Sequence, residues 1–256
     1  MNPRQSFARH ILRENRPLLD AIVSCNRLFP SRIRTDAIVP EYAPLLPLLK
    51  KDAVESSRFT KRMHSLFPSV PQGIFGSDNA WSVCNTWALD FRLPRHRLAL
   101  LPPDILVKLA RYFGLVRHRA QIRRLIDRDA VLALREEVGE EGRRFVLRRS
   151  ILLPGARPEV REEADEGTLS LPERIRHSGF SAVASCLADA PFPLTERLSL
   201  TVPGDFAAHL AEAGRAQMGS ALRDSNANHD TATEHWALLR TLLFKEIAPE
   251  WEPCFL

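Results

Sequence analysis

The sequence predicts a mainly α-helical protein, an irregular globular bundle of short helices with proline-rich connections and little or no sheet. Apolar residues recur at helical spacing in several segments, and Pro, Asp and Gly stand where those segments begin or end. Nine prolines between residues 28 and 103 keep any helices there short. With 45% hydrophobic residues, the 256-residue chain can bury an ordinary core, and a single globular domain over residues 1–256 is expected.

Four short helices are predicted between Leu101 and Leu152, because capping residues interrupt the helical pattern there. Pro102, Pro103 and Asp104 form the entry of the first, because a proline ring fixes φ near the helical value, and this helix is predicted to end at a left-handed Gly114. The third begins after Asp127, whose carboxylate can accept backbone N–H groups, and stops at Gly139. The apolar residues assigned to these helices are Ile105, Leu106, Leu109, Ala110, Phe113, Leu115, Ile122, Leu125, Ile126, Val131, Leu134, Val138, Phe145 and Val146.

Helical spacing predicts further helices at Asp52–Phe67, Leu171–Leu187, Phe206–Met218 and Thr233–Ile247. In Glu196–Pro203, alternating apolar residues favour a strand on periodicity alone. The polar, acidic segment Pro154–Gly167 is bounded by Pro and Gly, which is typical of an exposed loop.

Several segments in residues 96–256 resemble one family in their order. They read LPPDILVKLARYFGL, AQIRRLIDRDAVLALREEVGEE, RRFVLRRSILL, ERLSLTVP and LLRTLLFKEIAPEW. Together they resemble the K-type accessory subunit of bacterial type III secretion injectisomes, the SctK family, whereas residues 1–95 match it only in general character. Because the resemblance implies a mostly helical protein, we expect Glu196–Pro203 to be an extended segment or a short helix.

The resemblance also implies a function and a location. It implies a non-enzymatic cytoplasmic adaptor of the sorting platform, peripheral at the inner-membrane base of the secretion apparatus. Its partners would be the cytosolic domain of the inner-membrane ring protein, the D component, and the C-ring-like Q component, with the L stator and N ATPase reached indirectly. The apolar runs are shorter than the ~20 residues that span a bilayer, and arginines interrupt the N-terminal segment as they would not in a signal peptide.

Positive charge is concentrated in the N-terminal part. Residues 1–95 contain 14 Lys and Arg against 8 Asp and Glu, whereas the remaining 161 residues contain 22 against 23. Arginines at positions 4, 9, 13 and 16 recur around apolar residues, which predicts a basic amphipathic helix for an acidic protein, anionic lipid or nucleic acid. The alternative is an ordinary solvated helix face.

The first candidate partner-binding site is a basic cluster. Arg119, Arg123 and Arg124 lie close together on a predicted helix, where they could clamp an acidic partner. The alternative is ordinary pairing within the chain, for which the candidate acids are Asp127, Asp129 and Glu136.

The second candidate site is the final segment, WEPCFL. Trp251, Phe255 and Leu256 place apolar side chains near the last residue of the sequence, where they could meet a partner. The alternative is that this segment packs onto the protein's own core.

The sequence contains no complete catalytic or metal-binding motif among those considered below. The segment Asp224–His235 begins like a calcium loop, but His229 replaces the glycine of the sharp turn and His235 replaces the bidentate glutamate. Nucleotide-binding glycine loops, a GxSxG elbow and an HExxH helix are absent, and Ser181 is interpreted as a small helix-packing residue. We therefore expect no catalytic, cofactor or metal residues. The cysteines, which are expected to be isolated buried thiols, are Cys25, Cys84, Cys186 and Cys254.

A helical nucleic-acid-binding regulator is the alternative function. The pI near 9.3 and the short helices around Gly114, which resemble a helix-turn-helix in outline, motivate it. Against it, residues 96–256 are electrically balanced and show no heptad repeat that would support a dimer.

Overall fold

A computed structural model of the chain describes residues 15–37, 90–153, 169–220 and 226–256, without the side chains at 27–31, 35, 152, 218–220 and 226–230. Those residues contain helices of several types and no strand, which confirms the predicted fold class. The α-helices are α1 (Arg16–Arg32), α2 (Pro103–Arg117), α3 (Arg119–Arg124), α4 (Arg128–Arg148), α5 (Leu171–Leu187), α6 (Phe192–Ser199), α7 (Gly204–Ser220) and α8 (Asn226–Leu242). The 3-10 helices are Thr35–Ala37, Pro94–Leu100, Ser150–Leu152 and Pro249–Phe255, and Leu243–Ile247 is a π-helix.

Some sequence predictions lie outside the described residues. These are the helix at 52–67, the acidic loop at 154–167 and the basic segment up to residue 14.

The chain divides into two compact units, each built from separate stretches of sequence. The described part of the first unit is 15–37, 90–103, 189–211 and 252–256. The described part of the second is 104–153, 169–188, 212–220 and 226–251. The single domain expected from the sequence remains a prediction.

The first unit is organised around α1, α6 and the 3-10 helix Pro94–Leu100. The Asn15 side chain begins α1 by accepting the backbone N–H of Leu18 at 2.9 Å. Two arginines are buried in this unit and are hydrogen-bonded, as the cost of burying a charge requires. Arg197 donates to the Asn26 side chain at 2.6 Å, and Arg97 donates to backbone oxygens, one of them that of Phe91 at 3.1 Å.

In the second unit, α2 and α5 approach each other closely through glycine. A Cβ at Gly114 would lie 1.9 Å from the carbonyl oxygen of Ile175, and one at Gly179 would lie 2.0 Å from that of Ala110. The predicted helix end at Gly114 is therefore wrong, because α2 continues to Arg117 and the glycine makes room for the backbone of α5. The bounds predicted for α5 are confirmed, and Ser170 begins it by donating its N–H to the Glu173 carboxylate at 2.8 Å.

Helix α4 bends where the sequence predicted a boundary. Asp127 caps its first turn by accepting the N–H of Ala130 at 2.8 Å, which confirms the predicted cap. Gly139 interrupts the helix with φ +70° and ψ 171°, a conformation that is open essentially to glycine alone. Leu134 is buried before the bend, but Ile126, expected among the apolar residues of the preceding helix, is 95% exposed.

The C-terminal helices are longer than predicted. Helices α7 and α8 begin earlier than expected, and the predicted end of the last one is formed by the π-helix. The segment 196–203, left open between strand and helix, is the end of α6 followed by a turn. Apolar spacing in the sequence places Leu238, Leu239, Leu242, Leu243 and Ile247 on one stripe, of which the four leucines are buried and Ile247 is half-buried.

Candidate protein-interaction surface

The arginines of α3 support the end of α4. Arg119 donates to the carbonyl oxygen of Ser150 at 3.1 Å, and Arg123 donates to that of Leu147 at 3.2 Å. The last carbonyls of a helix lack partners within it and lie at the negative end of its dipole, so cations there are stabilising. These two bonds thus end on carbonyl oxygens and not on the carboxylates that the sequence suggested.

Apolar and basic side chains lie exposed together where α3 meets the end of α4. Leu147 is 39% exposed and Ile151 is 53% exposed, and Arg148 lies between them in sequence. Arg123 and Arg124 on α3 are exposed as well. We call these five residues the α3–α4 surface.

The cations of this surface differ from others in the same unit. Elsewhere Lys108 pairs with Glu141 at 3.2 Å, and Arg149 pairs with Glu246 at 2.7 Å. Within the residues that the structure describes, no salt bridge includes Arg123, Arg124 or Arg148. Among the described residues, no salt bridge therefore neutralises these three arginines, and exposed cations attract acidic groups.

A cleft of about 490 Å³ borders Arg148. The other residues that line it are Tyr112, Glu140, Glu141, Arg144, Phe145, Arg149 and Glu246. The Tyr112 ring packs against Phe145 with centroids 4.6 Å apart. Its burial raises the pKa of the Tyr112 phenol, and the negative charge of the nearby Glu141 raises it further. A hydrogen bond from Lys108 lowers the pKa of Glu141, so this carboxylate is ionised and already paired.

The final segment is largely held by the first unit. Asn15 donates to the backbone oxygens of Pro253 and Leu256, each at 3.2 Å, and Arg97 also donates to that of Leu256 at 3.0 Å. Phe255 is only 7% exposed, whereas Leu256 is 79% exposed and Trp251 is half-buried. Of the three predicted apolar contacts, Leu256 thus offers the most exposed side chain.

A half-buried imidazole joins three helices of the second unit. His235 on α8 places Nδ1 2.9 Å from the Ser185 hydroxyl on α5, and its ring meets the edge of Phe113 on α2 at 5.2 Å. Burial, assisted by the positive charge of Arg117, lowers the pKa of His235 to about 4. The imidazole is therefore neutral at physiological pH.

The other polar groups of the described residues form no metal site. Among the described residues, no group of three or more His, Cys, Asp or Glu side chains could hold a metal ion. Ser181 is exposed on α5, so its interpretation as a helix-packing residue is wrong. No helix in the described part of the chain is long and apolar enough to cross a membrane.

The sequence prediction missed Leu147, Arg148 and Ile151 as candidate interaction residues. Arg148 was visible as part of a basic pair, but the exposure of Leu147 and Ile151 depends on which elements cover them. The periodicity of apolar residues does not show which of them a neighbouring element covers.

Residues 51–249 match the protein-family model described as YOP proteins translocation protein K (YscK). No curated protein and no solved structure matches the chain.

Proposed function

Since the chain belongs to the YscK family, which takes part in protein translocation by type III secretion, we propose that it is a non-enzymatic cytoplasmic adaptor of the sorting platform. It bridges the cytosolic domain of the inner-membrane D component to the C-ring-like Q component at the inner-membrane base of the apparatus. The L stator and the N ATPase are reached through Q. The observation that carries this proposal is the family match over 51–249.

Recognition of partner proteins, and not chemistry, is the proposed mechanism. Exposed arginines without a salt bridge in the described residues, at 123, 124 and 148, suit contact with an acidic protein face. The hydrogen bonds of Arg119 and Arg123 to the end of α4 support this role, because they fix the relative position of the two helices before any partner arrives. Leu256 is a second exposed contact candidate.

Co-purification from the native host tests the proposal. The tagged full-length chain is isolated during active secretion, and its partners are identified by mass spectrometry. We expect the D and Q components to be recovered together. Recovery of nucleic acid or of metabolic enzymes, with neither secretion component, would overturn the adaptor role.

A further inference from the structure

We propose that the α3–α4 surface binds an acidic amphipathic segment of a partner protein. Apolar side chains of that segment cover Leu147 and Ile151, and its carboxylates pair with Arg124 and Arg148. The inference rests on the proposed adaptor function and deepens it by naming the chemistry of one partner contact.

The apolar centre of the surface stands on a rigid backbone. Arg123 holds the carbonyl of Leu147, and Arg119 holds that of Ser150, the residue before Ile151. Ser150 is itself fully buried, and its hydroxyl donates to the Val146 carbonyl at 2.6 Å. A surface fixed before binding loses little conformational entropy when a partner docks, so its exposed apolar area contributes more fully to affinity.

The charge of the surface selects an acidic partner. Arg124 and Arg148 are exposed and have no salt bridge within the described residues. Arg123 uses one N–H for the Leu147 carbonyl, and a guanidinium has five, so it can still bind a carboxylate. The acids nearest these arginines already have partners. Asp127 caps α4, and the three glutamates of the cleft that borders Arg148 pair with other cations: Glu140 with Arg144, Glu141 with Lys108 and Glu246 with Arg149. Carboxylates on a partner would therefore meet three cations around two apolar side chains.

A protein segment fits this pattern better than a membrane or a nucleic acid. Membrane-surface helices present a long continuous apolar face, whereas here there are two exposed apolar side chains, and Arg148 and Arg149 stand between them in the sequence. Phosphate backbones are bound by basic groups and have no need for exposed Leu147 and Ile151 at the centre. An amphipathic helix with carboxylates flanking its apolar stripe complements both features.

Site-specific photo-crosslinking in the secreting host tests the inference. Benzoylphenylalanine replaces Ile151 in the full-length chain, and the cross-linked peptides are mapped by mass spectrometry. The matched control carries it at Leu132, which is 43% exposed on α4 before the bend at Gly139, whereas Ile151 lies in the 3-10 helix that follows α4. We expect a cross-link from position 151, and not from 132, to a protein segment that combines Asp or Glu with apolar residues at helical spacing. A lipid or nucleic-acid adduct, a segment without acidic residues, or equal adducts from both positions would overturn it.

Charge reversal separates this inference from the adaptor role. Arg124→Glu together with Arg148→Glu should reduce the cross-link yield at position 151 by about tenfold or more, because like charges then face the partner. Arg240→Glu, an exposed last-turn arginine of α8 in the same unit, should leave the yield unchanged. If D and Q still co-purify with the chain while no cross-link forms at 151, the docking surface is wrong and the adaptor role stands. If the unaltered chain recovers neither component, the adaptor role itself fails.

Discussion

Replacing Gly114 by alanine should strongly destabilise the second unit, because α2 and α5 touch backbone to backbone there. The added Cβ would lie 1.9 Å from the Ile175 carbonyl oxygen, whereas ordinary contacts begin at 3.4 Å, so the helices must part by about 1.5 Å. Gly179 meets the Ala110 carbonyl at 2.0 Å along the same pair, and this separation would loosen both contacts. Overpacking a core costs typically 1–3 kcal/mol, and a clash with backbone on this scale places the expected loss at about 3 kcal/mol.

Urea unfolding followed by far-ultraviolet circular dichroism measures this loss as a change in the free energy of unfolding. Gly179→Ala should lose a similar amount, since its clash is of the same size and kind. Gly214→Ala is the matched control, because Gly214 lies inside α7 with nothing within 4 Å of the added Cβ. That variant should gain roughly 0.5–1 kcal/mol from helix propensity. A Gly114→Ala protein as stable as the unaltered chain would refute the close helix contact.

Three further predictions concern the half-buried His235 and the buried Arg97 and Cys186. His235 has a folded pKa of about 4 against an ordinary value of 6.5, so only the unfolded chain binds its proton between those values. The free energy of unfolding should therefore fall by on the order of 3 kcal/mol as the pH drops from 6.5 to 4. In urea titrations at several pH values, His235→Gln should reduce this fall. The same pH dependence in the variant and in the unaltered chain would contradict the prediction. Arg97→Met should cost about 3 kcal/mol and speed carboxypeptidase release of the last residues, since Phe91, Cys254 and Leu256 each lose the bond from Arg97 to their backbone oxygen and only that of Leu256 keeps a bond from Asn15. Unchanged digestion would count against that anchor. Cys186, fully buried with its thiol 3.5 Å from the Ala232 carbonyl oxygen, should react with iodoacetamide only on unfolding, as peptide mass spectrometry would show; rapid labelling of the native protein would argue against its burial.

Local signals with one physical meaning were predictable from sequence. An Asp before a helical apolar pattern has few roles other than a cap, and Asp127 caps α4 as expected. The helix at Leu171–Leu187 was equally clear, because apolar residues recur along it at helical spacing and Gly179 is tolerated within it. Gly114 was not predictable, since glycine serves both as a helix end and as a close-packing residue. Only the position of α5 decides between these roles.

The residues of the candidate site were harder to predict from the sequence than the helices were. The cluster of Arg119, Arg123 and Arg124 was found from spacing, but spacing did not predict that Arg119 and Arg123 donate to the carbonyl oxygens of Ser150 and Leu147. Leu147 and Ile151 have the spacing of buried residues, and their exposure follows from the packing of α3 and α4. Tertiary packing determines which apolar residues remain available to a partner.

Reconstitution of a three-protein complex tests the bridging role most directly. The purified chain, the cytosolic domain of the D component and the Q component are mixed, and the masses of the complexes are measured by sedimentation. The account predicts that D and Q sediment together only when the chain is present. It also predicts that the Arg124→Glu and Arg148→Glu double variant loses one of the two partners and keeps the other. Association of D with Q to the same extent without the chain, or a chain that binds neither, would contradict it.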